Sequence, residues 1–315
     1  MDYEEFSMFH ENAEEAGLVW GGSPDVERRE VAVGDDHRVS ALVWGKGEAE
    51  VVLVHGGAQN AHTWDTVALA LGRPLVAIDM PGHGHSSWRD DRNYGPERTA
   101  DALALAIKAL APRARLVVGM SMGGLSALVL ASQHPEWVKR LLLVDVTPGV
   151  DHAKAKAIID FVRGPEFFES FEAILTRTIA HNPTRSRSSL RRGVLHNAKA
   201  LPDGRWTWRY DRRWLGDPNG PESNRAEGKA EPTPAADAKV EFASLWDHVA
   251  RVKAPTLLCR GDRSPVVSDE DVAEMRRRLP AVEVETVADA GHSIQGDQPL
   301  ELARIIARFG QLGGS

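Results

Sequence analysis

Residues 116–124 read Leu116-Val117-Val118-Gly119-Met120-Ser121-Met122-Gly123-Gly124, and residues 125–130 continue as Leu-Ser-Ala-Leu-Val-Leu. The apolar run is typical of a buried strand, and the run of small residues after it is typical of a helix. Between them lies Gly-x-Ser-x-Gly, which predicts a sharp turn that holds Ser121 above the sheet edge at the N-terminus of the helix. Glycines at 119 and 123 leave room for this turn. The stretch therefore predicts a nucleophilic serine, with an ordinary helix N-cap serine as the alternative.

The composition of the 315-residue chain narrows the class of protein. Its hydrophobic content of 42% is ordinary for a soluble globular protein, and the chain is long enough to bury a sizeable core. The net charge of −7 argues against a general nucleic-acid binder. No apolar run is long enough to span a membrane, and the acidic start at residues 1–6 does not resemble a signal peptide. The single cysteine, Cys259, excludes an intramolecular disulfide. We expect a cytoplasmic protein with no nucleic-acid or membrane partner, and the sequence does not predict an oligomeric state.

Strands and helices are predicted to alternate along most of the chain, which favours a parallel sheet covered by helices on both faces. The alternation stops at Pro148 and resumes near Leu245, and an interruption of about 95 residues is too long for a loop or a single crossover. Within it, a stretch rich in Gly, Pro, Asn and Glu has no apolar period, and we expect it to be flexible. The predicted organisation is an N-terminal extension (1–29), a first core part (30–147), an inserted cap (148–244, with 216–238 flexible) and a second core part (245–315).

Four motifs follow the third, fourth, fifth and eighth predicted strands. They are His55-Gly56-Gly57, Asp79-x-Pro81-Gly82-x-Gly84-x-Ser86, Gly119-x-Ser121-x-Gly123 and Gly291-His292. In this order they resemble the α/β-hydrolase superfamily, in its cap-bearing branch, over about residues 30–150 and 245–312. The resemblance implies an α/β fold with a mostly parallel eight-stranded sheet, helices on both faces and an inserted helical cap.

A serine nucleophile needs a base within hydrogen-bond reach and an acid to orient that base. The resemblance implies that His292 is the base, with a surface-loop histidine as the alternative. The acid is less certain, because the position where many relatives carry aspartate is Ser264 here and Asp262 lies two residues earlier. A minority of the superfamily takes its acid from the end of the sixth strand, where this chain has Asp145. A carboxylate there is costly unless it is paired. We favour Asp145 and keep Asp262 as the alternative.

The alkoxide that develops during acyl transfer needs fixed N–H donors. By position, these are the backbone amides of Met122 and Gly57, and we expect His55 to shape the loop that carries Gly57. Other histidines, including His62 and His196, are expected to be structural or exposed, since they lack metal-ligand spacing supported by carboxylates. We therefore expect no metal and no cofactor.

The cap is expected to determine the substrate. Residues 151–215 contain 13 Lys or Arg against 7 acidic residues, which favours anionic substrates through an electropositive lid, unless this is a solvated helical surface. Three tryptophans, Trp206, Trp208 and Trp214, are candidates for an apolar pocket wall, with the core of the cap as the alternative.

Together these features predict a cofactor-independent serine hydrolase that cleaves a carboxylic ester, or a related acyl bond, of a small to medium substrate through an acyl-enzyme. A nucleophilic serine rather than aspartate counts against epoxide hydrolase and haloalkane dehalogenase chemistry. The alternatives are hydrolysis of a carbon–carbon bond in a diketone-like ring-cleavage product, hydrolysis of a lactone, and a non-catalytic protein that binds a ligand between core and cap.

Overall fold

The computed structural model describes residues 3–34, 37–150, 152–183, 185–212, 242 and 244–313. An eight-stranded sheet lies at the centre. Its strands are β1 (Val26–Ala32), β2 (Arg38–Trp44), β3 (Val51–Val54), β4 (Leu75–Ile78), β5 (Leu116–Met120), β6 (Leu141–Val144), β10 (Thr256–Gly261) and β11 (Glu283–Val287). The strand order is β1-β2-β4-β3-β5-β6-β10-β11. Strand β2 pairs antiparallel with β1 and β4, and every other pairing in this sheet is parallel. The predicted mostly parallel eight-stranded sheet is confirmed.

Helices cover both faces of this sheet. They are α1 (Phe9–Glu15), α2 (Asp65–Leu71), α3 (Pro96–Leu110), α4 (Met122–Gln133), α8 (Trp246–Val249), α9 (Asp269–Arg278), α10 (Ile294–Asp297) and α11 (Pro299–Phe309). Successive strand side chains alternate between the faces: Val51 and Leu53 pack with α2 and α11, whereas Val52 and Val54 pack with α3 and α4. Burial on both faces explains why these strands are continuous apolar runs in the sequence.

The cap is inserted between β6 and α8 and has its own small core. Its elements are α5 (His152–Val162), β7 (Phe167–Phe168), α6 (Phe171–His181), α7 (Arg187–Asn197), β8 (Ala198–Ala200) and β9 (Trp206–Trp208). The three strands form an antiparallel sheet in the order β7-β9-β8, so the predicted helical cap also contains a sheet. The stretch that we expected to be flexible, 216–238, lies outside the described residues.

The N-terminal segment packs more extensively than the term extension implies. Strand β1 begins at Val26, inside the predicted extension. The sequence does not reveal this start, because only one face of the strand is covered and its charged residues obscure the strand pattern. Phe9 of α1 packs on Trp44 of the sheet with ring centroids 4.8 Å apart, and Met8 belongs to the apolar cluster of the cap. This segment therefore contacts both core and cap. Among the described residues, no helix is long and apolar enough to cross a membrane.

Candidate active site

Ser121 lies in the turn between β5 and α4, with φ 51° and ψ −123°. A positive φ is strained for a serine by about 1–3 kcal/mol and is a conformation found at functional turns. The neighbouring glycines are required, because a Cβ at Gly119 would lie 2.5 Å from the carbonyl oxygen of Gly123, and one at Gly123 would collide with the carbonyl of His55. The hydroxyl of Ser121 does not cap α4. The sharp turn thus presents the serine at the carboxyl end of the central strand.

Asp145 follows β6, the neighbour of β5, and contacts His292. The Nδ1 atom of His292 lies 2.8 Å from Oδ2 of Asp145, whose side chain is fully buried. The other carboxylate oxygen, Oδ1, accepts the backbone N–H of Gly261 at 3.0 Å, and the hydroxyl of Ser264 donates to Oδ2. A buried carboxylate with three donors has its hydrogen-bonding requirement met. These hydrogen bonds offset the cost of burying a charged aspartate at the end of a strand.

Asp262 lies in a different environment from Asp145. It is exposed, and its Oδ1 accepts the backbone N–H of Ala290 at 3.1 Å, so it holds the loop after β11. Ser264, two residues later, directs its hydroxyl to Asp145 instead. Of the two candidate acids, the structure brings Asp145 to the ring of His292.

The two candidate oxyanion donors are neighbours. A Cβ on Gly57 would lie 3.8 Å from the Cβ of Met122. Met122 begins α4, and the first N–H groups of a helix have no partner within that helix and carry a partial positive charge. Gly57, Ser121 and His292 line one cavity of about 1090 Å³. The arrangement can place an acyl carbonyl between a serine and two backbone donors.

Two buried histidines hold the loop that carries Gly57. The Nε2 atom of His55 accepts the backbone N–H of Met80 at 2.9 Å, and its Nδ1 lies 2.7 Å from the carbonyl of Gly56. Burial and the nearby ring of His83 lower the pKa of His55 to about 3, so the ring is neutral and can accept a hydrogen bond. The Nε2 atom of His83 in turn accepts the N–H of Ala58 at 3.1 Å.

The cap contacts the same loop through two asparagines. Asn197, the last residue of α7, donates its side-chain amide to the carbonyl of Ala58 at 2.7 Å. Asn60 donates to the carbonyl of His196 at 3.0 Å. Ala58 has φ 60°, an uncommon value for a residue other than glycine, and these bonds help to hold it. Cap and oxyanion loop are therefore joined directly.

One buried group of metal-ligating side chains occurs among the described residues: His62, Asp65 and His196. The His62 Nδ1 lies 2.9 Å from Oδ2 of Asp65, and its Nε2 lies 3.0 Å from Oε1 of Glu5. Burial lowers the pKa of His62, but the carboxylates of Asp65 and Glu5 outweigh it and raise the pKa to about 9. A metal ligand must be a neutral imidazole with a free nitrogen, and the rings of His62 and His196 are stacked 3.7 Å apart at 8°, so their in-plane lone pairs do not converge. The group fits an ion-pair network better than a metal site.

This network was not visible in the sequence. It joins the N-terminal segment, the core and the cap, because the hydroxyl of Tyr3 lies 2.7 Å from Nδ1 of His196. Burial raises the pKa of Glu5, but hydrogen bonds from His62 and Arg28 outweigh it and lower the pKa to about 2. Its members are far apart in sequence, so no local motif could reveal them. Both His62 and His196 are buried, which fits the structural role expected for them and not the exposed one.

The predicted pocket tryptophans have different positions. Trp208 lines the cavity and stacks on Tyr210 with ring centroids 5.8 Å apart. Trp206 packs on Phe171 at 5.3 Å and is not among the residues that line the cavity. Trp214 lies outside the described residues. Sequence reasoning also missed Gln295, whose amide lies 3.3 Å from the Thr63 hydroxyl in the cavity wall.

Comparison with known proteins gives consistent matches along the chain. The sequence profile described as the alpha/beta hydrolase family matches residues 51–305. The esterase Rv0045c of Mycobacterium tuberculosis is 44% identical over 311 residues, which cover 96% of this chain and 94% of the relative. The 3-hydroxybutyrate-oligomer hydrolase of Cupriavidus necator is 30% identical over 85% of this chain and 91% of its own length. A solved structure of the mycobacterial esterase matches with a TM-score of 0.82 and 42% identity, covering 98% of this chain and 99% of that one.

Proposed function

Because the chain belongs to the alpha/beta hydrolase family, we propose that it hydrolyses carboxylic esters of small to medium size through Ser121, His292 and Asp145. The chain is a hydrolase of the esterase type, as its full-length similarity to a named esterase supports. The observation that carries the proposed triad is the 2.8 Å contact between His292 Nδ1 and the buried Asp145 carboxylate, in a cavity that Ser121 also lines.

The proposed reaction has two halves. In the first, the Ser121 oxygen attacks the acyl carbon while His292 takes its proton, and the backbone N–H groups of Met122 and Gly57 stabilise the oxyanion. Asp145 accepts the Nδ1–H of His292, which fixes the tautomer with Nε2 free for the proton. The tetrahedral intermediate collapses to an ester on Ser121, and the alcohol leaves with the proton from His292.

In the second half, water attacks the ester on Ser121. His292 accepts a proton from the water and then returns it to the departing Ser121 oxygen, so that the carboxylic acid is released and the enzyme is regenerated. Every proton moves between groups of the chain, the substrate and water. The cycle therefore needs no further reactant.

The test is hydrolysis of p-nitrophenyl esters of increasing acyl length by the parent and by Ser121→Ala. We expect turnover by the parent, with a chain-length optimum set by the cavity, and a loss in kcat of at least ~10⁴ in Ser121→Ala because no nucleophile remains. The control variant is Ser170→Ala, which removes the side-chain N-cap of α6 in the cap and should retain activity. Equal turnover by the parent and Ser121→Ala would contradict the proposal.

A further inference from the structure

Many of the cationic side chains in the described part of the cap have hydrogen-bonding or ionic partners outside the cavity. Carboxylates pair with Lys154, Lys156, Arg187 and Arg205, and backbone carbonyls accept hydrogen bonds from Arg177 and Arg209. Among the described cap cations, two line the cavity that contains Ser121: Arg185 and Arg192. The electropositive lid expected from composition therefore reduces to two side chains at the site.

The positive charge of Arg192 is already balanced by nearby carboxylates. Arg192 is buried on α7, donates to Oδ1 of Asn12 at 2.6 Å, forms an ion pair with Glu15, and lies 3.5 Å from a carboxylate oxygen of Glu11. Three partners from the N-terminal helix α1 thus occupy its guanidinium. Arg192 holds α1 against the cap, and little of its hydrogen-bonding capacity is left for a ligand.

Arg185, in contrast, has no carboxylate within ion-pair distance among the described residues. Within the part of the chain that the structure describes, its side chain donates to one acceptor, the hydroxyl of Ser189 at 2.6 Å, and makes no ion pair within 4.0 Å. Its Nε–H is buried without an acceptor in that same part. Burial lowers the pKa of Arg185, which the more distant carboxylates of Asp297 and Glu15 oppose, and a guanidinium remains charged in either case.

The guanidinium lies against the helix that follows the proposed catalytic base. A Cβ on Gly296, four residues after His292, would lie 2.9 Å from Cζ of Arg185. The missing side chain at Gly296 provides the space for the arginine. Arg185 therefore reaches from the cap to the wall of the cavity formed by α10.

We propose that Arg185 binds a carboxylate carried by the ester substrate, at a distance from the bond that is cleaved. A guanidinium without a counter-ion in the wall of a cavity is costly, and a carboxylate supplies the missing negative charge while accepting N–H bonds from the guanidinium. This inference rests on the proposed esterase function and narrows its substrates to monoesters of dicarboxylic acids and similar anions, in preference to neutral esters.

The experiment compares matched substrates that differ in one charge. The anionic series is the mono-p-nitrophenyl esters of glutaric, adipic and pimelic acids, and the neutral series is the p-nitrophenyl esters of valeric, hexanoic and heptanoic acids. The readout is the ratio of kcat/KM for the anionic ester to that for its neutral match. We expect Arg185→Gln to lower this ratio by about ten- to a hundredfold, mainly through KM, since a charged hydrogen-bonded pair is lost.

Two further variants separate the binding role from general effects. Arg185→Lys keeps the charge but loses the planar fork, so its ratio should lie between those of the parent and Arg185→Gln. The matched control is Arg187→Gln, which removes an exposed cation two residues away that pairs with Glu172 and does not line the cavity. Its ratio should stay within about twofold of the parent value.

The possible failures are distinguishable. If the parent cleaves neutral esters but Arg185→Gln leaves the ratio unchanged, the inference about Arg185 is wrong and the esterase proposal is unaffected. If Arg187→Gln lowers the ratio equally, the effect comes from the overall electrostatic potential of the cap, and the proposal of a specific carboxylate site at Arg185 is again wrong. If the parent cleaves neither series, the esterase proposal and the inference both fail.

Discussion

At the residue scale, the carboxylate of Asp145 joins three loops. Gly261 ends β10, Ser264 lies in the loop after β10, and His292 follows β11, yet all three direct a donor to this one side chain. Asp145 itself has φ 51°, a strained value that its buried contacts compensate. A hydroxyl thus occupies the position where many relatives carry the acid, and it holds the carboxylate that comes from the neighbouring strand.

This geometry predicts that the carboxylate that orients His292 can be transferred from residue 145 to residue 264. Asp145→Asn should lower kcat for a p-nitrophenyl ester by about 10³- to 10⁴-fold, because the ring of His292 loses its carboxylate. The double variant Asp145→Asn/Ser264→Asp should recover at least about tenfold, since Ser264 already contacts the oxygen that faces His292. Asp262→Asn is the matched control and should stay within about twofold of the parent. A double variant no better than the single one, or a large loss in Asp262→Asn, would contradict this account.

The sequence could identify Ser121 and His292 as candidates because each lies in a motif whose glycines are local in the chain. It could not decide between Asp145 and Asp262. That choice depends on which loops adjoin one another, and thus on the pairing of β6 with β10. The donation from Ser264 to Asp145 and the lack of an ion pair at Arg185 within the described ranges both depend on long-range packing, and no local pattern encodes them.

At the scale of elements, helix α7 ends at the loop that carries the proposed oxyanion donor. The Asn197 amide bonds the carbonyl of Ala58, the residue next to Gly57. Loss of this bond should let the loop move and weaken stabilisation of the oxyanion, which forms only during the reaction.

We therefore expect Asn197→Ala to lower kcat by about tenfold while KM for a neutral p-nitrophenyl ester changes by less than about twofold. Steady-state kinetics measure both constants. The control is Asn93→Ala, an exposed asparagine whose side chain accepts the N–H of Gly95, and it should behave like the parent. A raised KM with an unchanged kcat would mean that Asn197 serves substrate binding instead.

At the scale of the whole molecule, the N-terminal segment ties the core to the cap. Tyr3 contacts His196 of the cap, Glu5 contacts His62 of the core, and Glu15 pairs with Arg192 of the cap. The charged His62 ring between Asp65 and Glu5 lies at the centre of these contacts. Stability should therefore depend on the protonation of this buried ring.

The direction of this dependence follows from the raised pKa of His62. The folded value of about 9 lies above the ordinary value of 6.5, so the stabilisation is fully present below pH 6.5 and is lost as the pH rises through 9. Between pH 6.5 and 10 we expect the Tm of the parent to fall by about 5 °C more than the Tm of His62→Gln. The control His134→Gln, which removes a half-buried surface histidine, should follow the parent. Equal slopes for parent and His62→Gln would contradict a charged His62.

The overall architecture could be predicted because buried parallel strands are continuous apolar runs and helices between them have their own period. The long interruption after β6 likewise predicted an insertion. The early start of β1, the three-stranded sheet of the cap and the packing of α1 on both parts were not predicted. Short strands and charged edges give weak local signals, and contacts between distant segments give none.

The most direct test of the central claim is covalent labelling of the parent with a fluorophosphonate, followed by intact mass and peptide mapping. The account predicts one adduct per chain, located on Ser121, absent from Ser121→Ala and formed much more slowly by Asp145→Asn. A parent that stays unlabelled, or an adduct on another residue that persists in Ser121→Ala, would contradict the assignment of Ser121 as the nucleophile.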